Sequence, residues 1–203
     1  MTTTEKKGRG RPRAYEPSIA LKRAGEAFWR AGYAGTSLDD ISAATGMNRP
    51  SLRAAFGDKH AIYLRALADY WDVKFAAMRD ALAGPGTLPE ALMRAYDAAL
   101  SIYFAAHDHV RGCFVVGTAV TEAVDDPEIQ AIVTQGLKTL DADFADRLRR
   151  AREEGELGKD ADIETLALLV SATMHTIAIR ARAGSSRDAL RELARKAVAV
   201  IAA

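Results

Sequence analysis

Sulfur chemistry has almost nothing to work with in this chain. Cys113 is the one cysteine in 203 residues, so no internal disulfide framework can form, and a reducing compartment is the expected setting. Aromatic residues are sparse at 7%. No stretch alternates apolar and polar residues with the β-branched enrichment of a strand, and both absences point to an all-α fold. No uninterrupted apolar run approaches the roughly 20 residues of a membrane span. The basic N-terminus has no apolar stretch behind it, which is not the form of a secretory signal. Catalytic signatures are missing too: no G-x-x-x-x-G-K-[ST], no G-x-S-x-G, no C-x-x-C and no H-E-x-x-H. Neither an enzyme nor a cofactor is expected. His107-Asp108-His109 offers two imidazoles with no committed third ligand, so it reads as a polar interhelical turn and no metal is expected.

Charge is present but unevenly placed. Residues 1–60 hold 11 Lys/Arg against 6 Asp/Glu, while the chain as a whole nets only +1. The stretch KKGRGRPR (6–13) alone carries five positive charges. A basic front and an acidic back imply two jobs, with a polyanion as partner for the first. Residues 1–14 are polar, basic and Gly/Pro-bearing, the composition of a disordered arm.

Helical patterns begin at Pro17, which fits a first turn because it lacks the N–H that would find no partner there. Ser37 and Asp40 form an S-x-x-D capping box ahead of Ile41 and Ala44, and Gly46 ends that short helix. Asn48 or Arg49 caps the next, with Pro50 in its first turn. A longer helix runs from Lys59 to about Leu82, and Gly84-Pro85-Gly86 stops it. Five further helices are expected at about 88–106, 112–124, 127–153, 162–182 and 187–202, about nine in all.

Two short helices joined by a tight Gly-containing turn form a helix-turn-helix, whose second helix enters the major groove of DNA. Here it begins NRPSLR. Asn48, Arg49, Pro50, Ser51 and Arg53 lie on or near its exposed start, where arginine can pair with guanine or grip phosphate. Thr36, Ser37 and Lys59 sit near helix N-termini that present free N–H groups to phosphate. Short helices and capping boxes occur in any all-α chain, so this pattern by itself leaves both readings open.

The segment GYAGTSLDDISAATGMNRPSLRAAFGDKHAIYLRAL (32–67) resembles the N-terminal domain of TetR-family transcriptional regulators. That family's pattern is a Gly-aromatic-x-x-T-[ST] entry, an I-x-x-x-x-G second helix, a S-x-x-x-[LI]-Y-x-x-F third helix and then G-x-K. Thr36, Ser37, Ile41, Gly46, Leu52, Phe56, Gly57 and Lys59 stand in place; Arg53 replaces the usual tyrosine. The close match spans roughly residues 17–67. The resemblance implies a DNA-binding domain at 15–66, helix 4 to about 83 as connector, and an effector-binding and dimerisation domain at 84–203. It implies a homodimeric repressor on a palindromic double-stranded operator, cytoplasmic and bound to the bacterial nucleoid, with no membrane role. Arg9-Gly10-Arg11-Pro12 resembles an AT-hook core, so Arg9, Arg11 and Arg13 are expected in an A·T-rich minor groove beside the operator.

The stretch DIETLALLVSATMHTIAIRAR (162–182) is apolar nearly all round, and the last helix carries a clean stripe at Leu190, Leu193, Ala194, Ala197, Val198 and Ile201. Spare apolar faces on two neighbouring helices suggest burial against a second copy, with Leu169 and Ile177 contributing from the first. The resemblance agrees, since the family dimerises through its last two long helices. It also implies a small-molecule effector, apolar, aromatic or electrophilic. Candidate lining residues are Trp71, Phe75, Tyr96, Tyr103, Phe104, Cys113, Phe114, Met174 and His175, although residues at such spacing are more often plain core than ligand wall. Cys113 begins a G-C-[LF]-[LVF] helix start found in a branch of the family that senses electrophiles or oxidants. Arg111 and the helix N-terminus are the groups there able to favour a thiolate. Two alternatives stay open: an architectural DNA binder without effector, and a cysteine-based redox sensor.

Overall fold

The computed structural model describes residues 16–105 and 110–203, and among these all regular structure is helical. The arm residues Arg9, Arg11 and Arg13, and the His107-Asp108-His109 turn, lie outside the described residues. The first three helices are α1 (Pro17–Ala31), α2 (Leu38–Thr45) and α3 (Arg49–Phe56). Ala20, Ala24, Ala27 and Phe28 form the buried face of α1. Phe28 meets Tyr63 edge-on at 5.0 Å, anchoring the small helices to the next long one. That helix, α4 (Lys59–Ala83), has 25 residues and so runs about 37 Å from the small domain into the larger one.

Beyond the turn at Gly84 follow α5 (Leu88–Tyr103), a π-helical segment Val115–Ala119 running into α6 (Val120–Glu122), then α7 (Pro127–Glu153), α8 (Ile163–Arg182) and α9 (Arg187–Ile201). The single helix expected at 112–124 is thus a wider turn of π-helix with one short α-turn after it. Proline or a capping side chain opens most of these elements: Asp126 accepts from Glu128 and Ile129 N–H, Asp162 from Thr165, Ser186 from Ala189. α7 lies against α4 at Gly136, where a Cβ would come within 2.1 Å of Cε2 of Trp71. Only glycine fits that crossing.

The stripe on α9 is corrected by the structure. Leu190, Val198 and Ile201 are buried within the chain itself, where α9 packs on α5 and α8, and Leu193 and Ala197 are half-buried there. Ile177 is likewise interior, at 0% exposure. An amphipathic stripe identifies a buried face but not whose surface buries it. On α8 and α9 the large apolar side chains left to solvent are Leu169, which was expected there, together with Leu168, Ile179 and Val200, 47–76% exposed. By length and composition α8 would also suffice to cross a membrane, with a mean hydropathy of 1.2 over its most apolar window. That qualifies the reading of the bare sequence, although α8 here packs against α5, α7 and α9.

Polar contacts tie the two regions together. Nε2 of His60, in the first turn of α4, lies 2.7 Å from the Asp126 carboxylate that caps α7, and its Nδ1 faces Glu128 at 3.8 Å. Tyr63 and Thr118 hydroxyls share a buried hydrogen bond of 2.8 Å, and burial pushes the Tyr63 phenol up to about 12. The indole N–H of Trp29 donates to the Arg111 carbonyl at 3.2 Å.

Candidate nucleic-acid interface and the second-domain interior

The turn between α2 and α3 is built as its sequence requires. Ser37 Oγ accepts from Asp40 N–H at 3.1 Å while Asp40 accepts from Ser37 N–H at 2.8 Å, closing the capping box. Gly46 takes φ 71° and ψ 13°, the left-handed conformation that favours glycine at a helix end. Asn48 Oδ1 then accepts from Ser51 N–H at 2.9 Å, which makes Asn48 the cap of α3. Leu52 and Phe56 are buried beneath, so Arg49, Pro50 and Arg53 are left facing out.

Two of the expected phosphate-binding groups behave otherwise. Thr36 is only 1% exposed, and its hydroxyl donates to the Gly32 carbonyl at 2.7 Å, so its side chain staples the loop to α1 and reaches no ligand. Arg49 is held by Asp39 through two hydrogen bonds of 2.8 and 2.5 Å. That guanidinium in turn keeps the exposed Asp39 carboxyl below its usual range. Ser37 is exposed at the start of α2, and the Lys59 ammonium lies 4.3 Å above the Tyr33 ring.

Most of the candidate pocket residues are packed core. Trp71, Tyr96, Tyr103, Cys113, Phe114 and Met174 are at most 4% exposed, while Phe75, Phe104 and His175 are half-buried. No described cavity gathers them: Cys113 lines a surface cleft between the π-helical segment and the end of α8, and Phe114 lines a different one beside α1. The polar surroundings of Cys113 also differ from expectation. Arg111 points away, over the Trp29 ring at 5.4 Å and toward Glu26 at 3.7 Å. The sulfur instead accepts from the Tyr70 hydroxyl at 3.2 Å, with the Lys74 ammonium at 3.9 Å. Burial raises the Tyr70 and Tyr103 phenols well above their ordinary value, and the nearby sulfur adds to both shifts. Burial drives His175 down to about 4, with Lys74 adding to the effect and Asp141 opposing it. His60, Asp126 and Glu128 bring three potential ligand atoms within 4.8 Å of one another. The two nitrogens of His60 already face one carboxylate each, polar contacts that link the start of α4 to the start of α7.

Residues 20–66 match the family model described as bacterial regulatory proteins of the tetR family. Residues 89–197, more than half the chain, match that of the tetracyclin-repressor-like C-terminal domain. The chain belongs to the TetR family. It is 30% identical over 194 residues to the HTH-type transcriptional repressor ComR of Escherichia coli K12, covering 95% of this chain and 92% of ComR. Against the HTH-type transcriptional regulator YezE of Bacillus subtilis it is 29% identical, covering 90% and 94%. Among solved structures, a cysteine mutant of the TetR-family regulator CifR bound to 26-base-pair operator DNA superposes with a TM-score of 0.81. That match is 30% identical and covers 94% of this chain and 98% of CifR. This TetR-family protein is accordingly a DNA-binding transcriptional regulator.

Sequence reasoning missed Lys74 altogether. A lysine in WDVKFAAM reads as a solvated side chain, yet Lys74 is 0% exposed in this TetR-family fold. The signal was its position: Tyr70, Lys74 and Met78 recur every four residues on the buried face of α4.

Proposed function

We propose that the chain is an effector-responsive homodimeric repressor that lays α3 into the major groove of a palindromic operator. In this reading residues 15–66 read DNA, α4 connects, and residues 84–203 bind effector and partner. The observation that carries it is the capped start of α3, with Pro50 and Arg53 exposed and Ser51 half-buried over a buried Leu52 and Phe56. Arg53 supplies a full charge at the surface, for phosphate or guanine. The exposed strip of Leu168, Leu169, Ile179 and Val200 supplies the apolar seam for a second copy, which would set two recognition helices about 34–36 Å apart. The basic arm extends the footprint into the neighbouring minor groove.

The test is selection of binding sites from random duplexes, followed by a salt titration. A palindromic consensus should emerge, bound on the order of 10³-fold tighter than random DNA. Deleting residues 1–13 should flatten the log–log salt slope by about 0.9 for each phosphate that the arm neutralises. Replacing Leu168 and Leu169 together by glutamate should yield monomers in sedimentation and abolish operator binding. Recovery of only non-palindromic, weakly preferred sites would favour an architectural DNA binder and refute this reading.

A second reading rests on one specific observation, the paired donors on the Cys113 sulfur. The Tyr70 hydroxyl and the Lys74 nitrogen both direct hydrogen-bond donors at this sulfur, polar company that a merely space-filling core cysteine does not need. If Cys113 is the sensor, Cys113→Ser keeps operator binding and loses release by quinone or peroxide; an unchanged response removes the idea.

A further inference from the structure

A cleft of about 280 Å³ opens between α1, α4 and the end of α5, where the small domain meets the large one. Its size is just below the roughly 300–1,000 Å³ usual for ligand pockets, enough for one or two fused rings. Three aromatic rings line its depth. Trp29 meets Tyr70 edge-on at 5.1 Å and Phe114 at 5.5 Å, and Tyr70 meets Phe114 edge-on at 5.7 Å. Val73, 56% exposed, stands at its mouth. One polar group there is underemployed. The Arg111 side chain is 18% exposed, yet among the described residues its guanidinium makes no hydrogen bond, only a loose 3.7 Å approach to Glu26. Held over the Trp29 ring at 5.4 Å, this guanidinium has donors that no described residue takes up and that an acceptor entering the cleft could reach.

We propose that this cleft binds a small aromatic acid, its rings against Trp29, Tyr70 and Phe114 and its anionic group on Arg111. The rings supply edges and faces suited to a flat aromatic guest, and the guanidinium fork matches a carboxylate or sulfonate. The location gives binding a consequence. One wall is α1 of the DNA-reading domain, and another is Tyr70, whose hydroxyl hydrogen-bonds Cys113. A guest between α1 and α4 resets the tilt of the reading domain and disturbs the hydrogen bond to the sulfur. It shifts operator affinity by as much as its affinities for the two tilts differ. That regulatory step rests on the repressor reading above; binding to the cleft does not.

The experiment titrates the DNA-free full chain with naphthalene-1-sulfonate and follows the two indole N–H cross-peaks by NMR. Trp71→Phe assigns them; it removes no hydrogen bond, because the Trp71 N–H has no partner among the described residues. Saturable movement of the Trp29 peak, with the Trp71 peak nearly still, is the expected result. Val73→Phe, which fills the mouth from an exposed helical position, should weaken binding at least tenfold. Arg111→Met should do the same for the sulfonate and leave unsubstituted naphthalene unaffected. Movement of the Trp71 peak alone, or undiminished binding by Val73→Phe, overturns the site. Operator affinity is then measured at saturating probe: no change overturns the regulatory step. Failure of the probe-free protein to select any operator would count against the repressor reading instead.

Discussion

Replacing His175 by glutamine should remove a pH-dependent destabilisation that is written into the interior of the second domain. The folded protein holds His175 at about 4 against an ordinary value of 6.5, mainly because burial disfavours the charged ring and Lys74 repels it. The group is a base with a depressed folded value. The unfolded chain therefore takes up a proton below pH 6.5 that the folded chain refuses until about pH 4. Stability is intact above the upper limit and drains away as pH falls between the two, at about 1.4 kcal/mol per pH unit. The full window corresponds to a loss on the order of 3 kcal/mol, a large part of the stability of an ordinary domain. Carboxylates such as Asp126 and Glu156, depressed by their own hydrogen bonds, lose stability only at more acidic pH, so the comparison must be differential. Urea denaturation of both proteins is run at pH 8, 6, 5 and 4.5 and at one fixed protein concentration. The gap between wild type and His175→Gln should swing in favour of the variant as the pH falls. A gap constant from pH 8 to 4.5 refutes the picture of a neutral ring beside a buried ammonium.

Three further outcomes follow from particular contacts. Gly136→Ala puts a methyl 2.1 Å from the Trp71 ring and should cost about 1–3 kcal/mol in denaturant, partly restored by adding Trp71→Phe. Full stability in the single variant would show that α4 and α7 separate freely. Asn48→Ala removes the cap of α3 and should lower stability by about 1 kcal/mol. It should also weaken operator binding, whereas Asn48→Ser should restore both. Asp39→Ala frees Arg49 from its two hydrogen bonds, so binding to random DNA should tighten and its salt slope steepen by about 0.9, read by fluorescence anisotropy. An unaltered slope would mean that Arg49 stays off the phosphates.

What the sequence made legible was local in its physics. Ser37 with Asp40, Gly46, and Asn48 ahead of Pro50 are devices acting within one turn of chain, and each recurs in the structure with the partners its spacing demands. The family motif is dense over the same residues, so the DNA-reading domain was recognisable before any coordinates. Thr36 marks the limit of that recognition: the motif identifies it, but its hydroxyl is spent on the Gly32 carbonyl, a role that spacing alone does not distinguish from phosphate binding.

The second domain was legible only in its helices. An apolar stripe such as Leu190 to Ile201 states that a face is buried and is silent on whether α5 and α8 or another molecule covers it. Aromatics at helical spacing are equally silent on whether they pack or enclose space, and here Tyr96 and Met174 pack. The groups that make the interior unusual come from separate elements: Lys74 and Tyr70 from α4, Cys113 from the segment before the π-helix, His175 from α8, Asp141 from α7. No window of sequence contains that set. Among them Lys74 stands out, because a lysine with 0% exposure needs partners for its nitrogen, and the Cys113 sulfur at 3.9 Å is one. Tyr70 lines the interdomain cleft and donates its hydroxyl to the Cys113 sulfur at 3.2 Å. The proposed aromatic-acid site and the proposed cysteine sensor would therefore share this side chain, and Tyr70→Phe tests whether they are coupled. If they are, removing the hydroxyl changes the reactivity of Cys113 and abolishes its dependence on a cleft-bound aromatic acid, while binding of that acid persists. If the cysteine reacts as before, and the acid still alters its rate, the two sites communicate by another route or not through this ring at all.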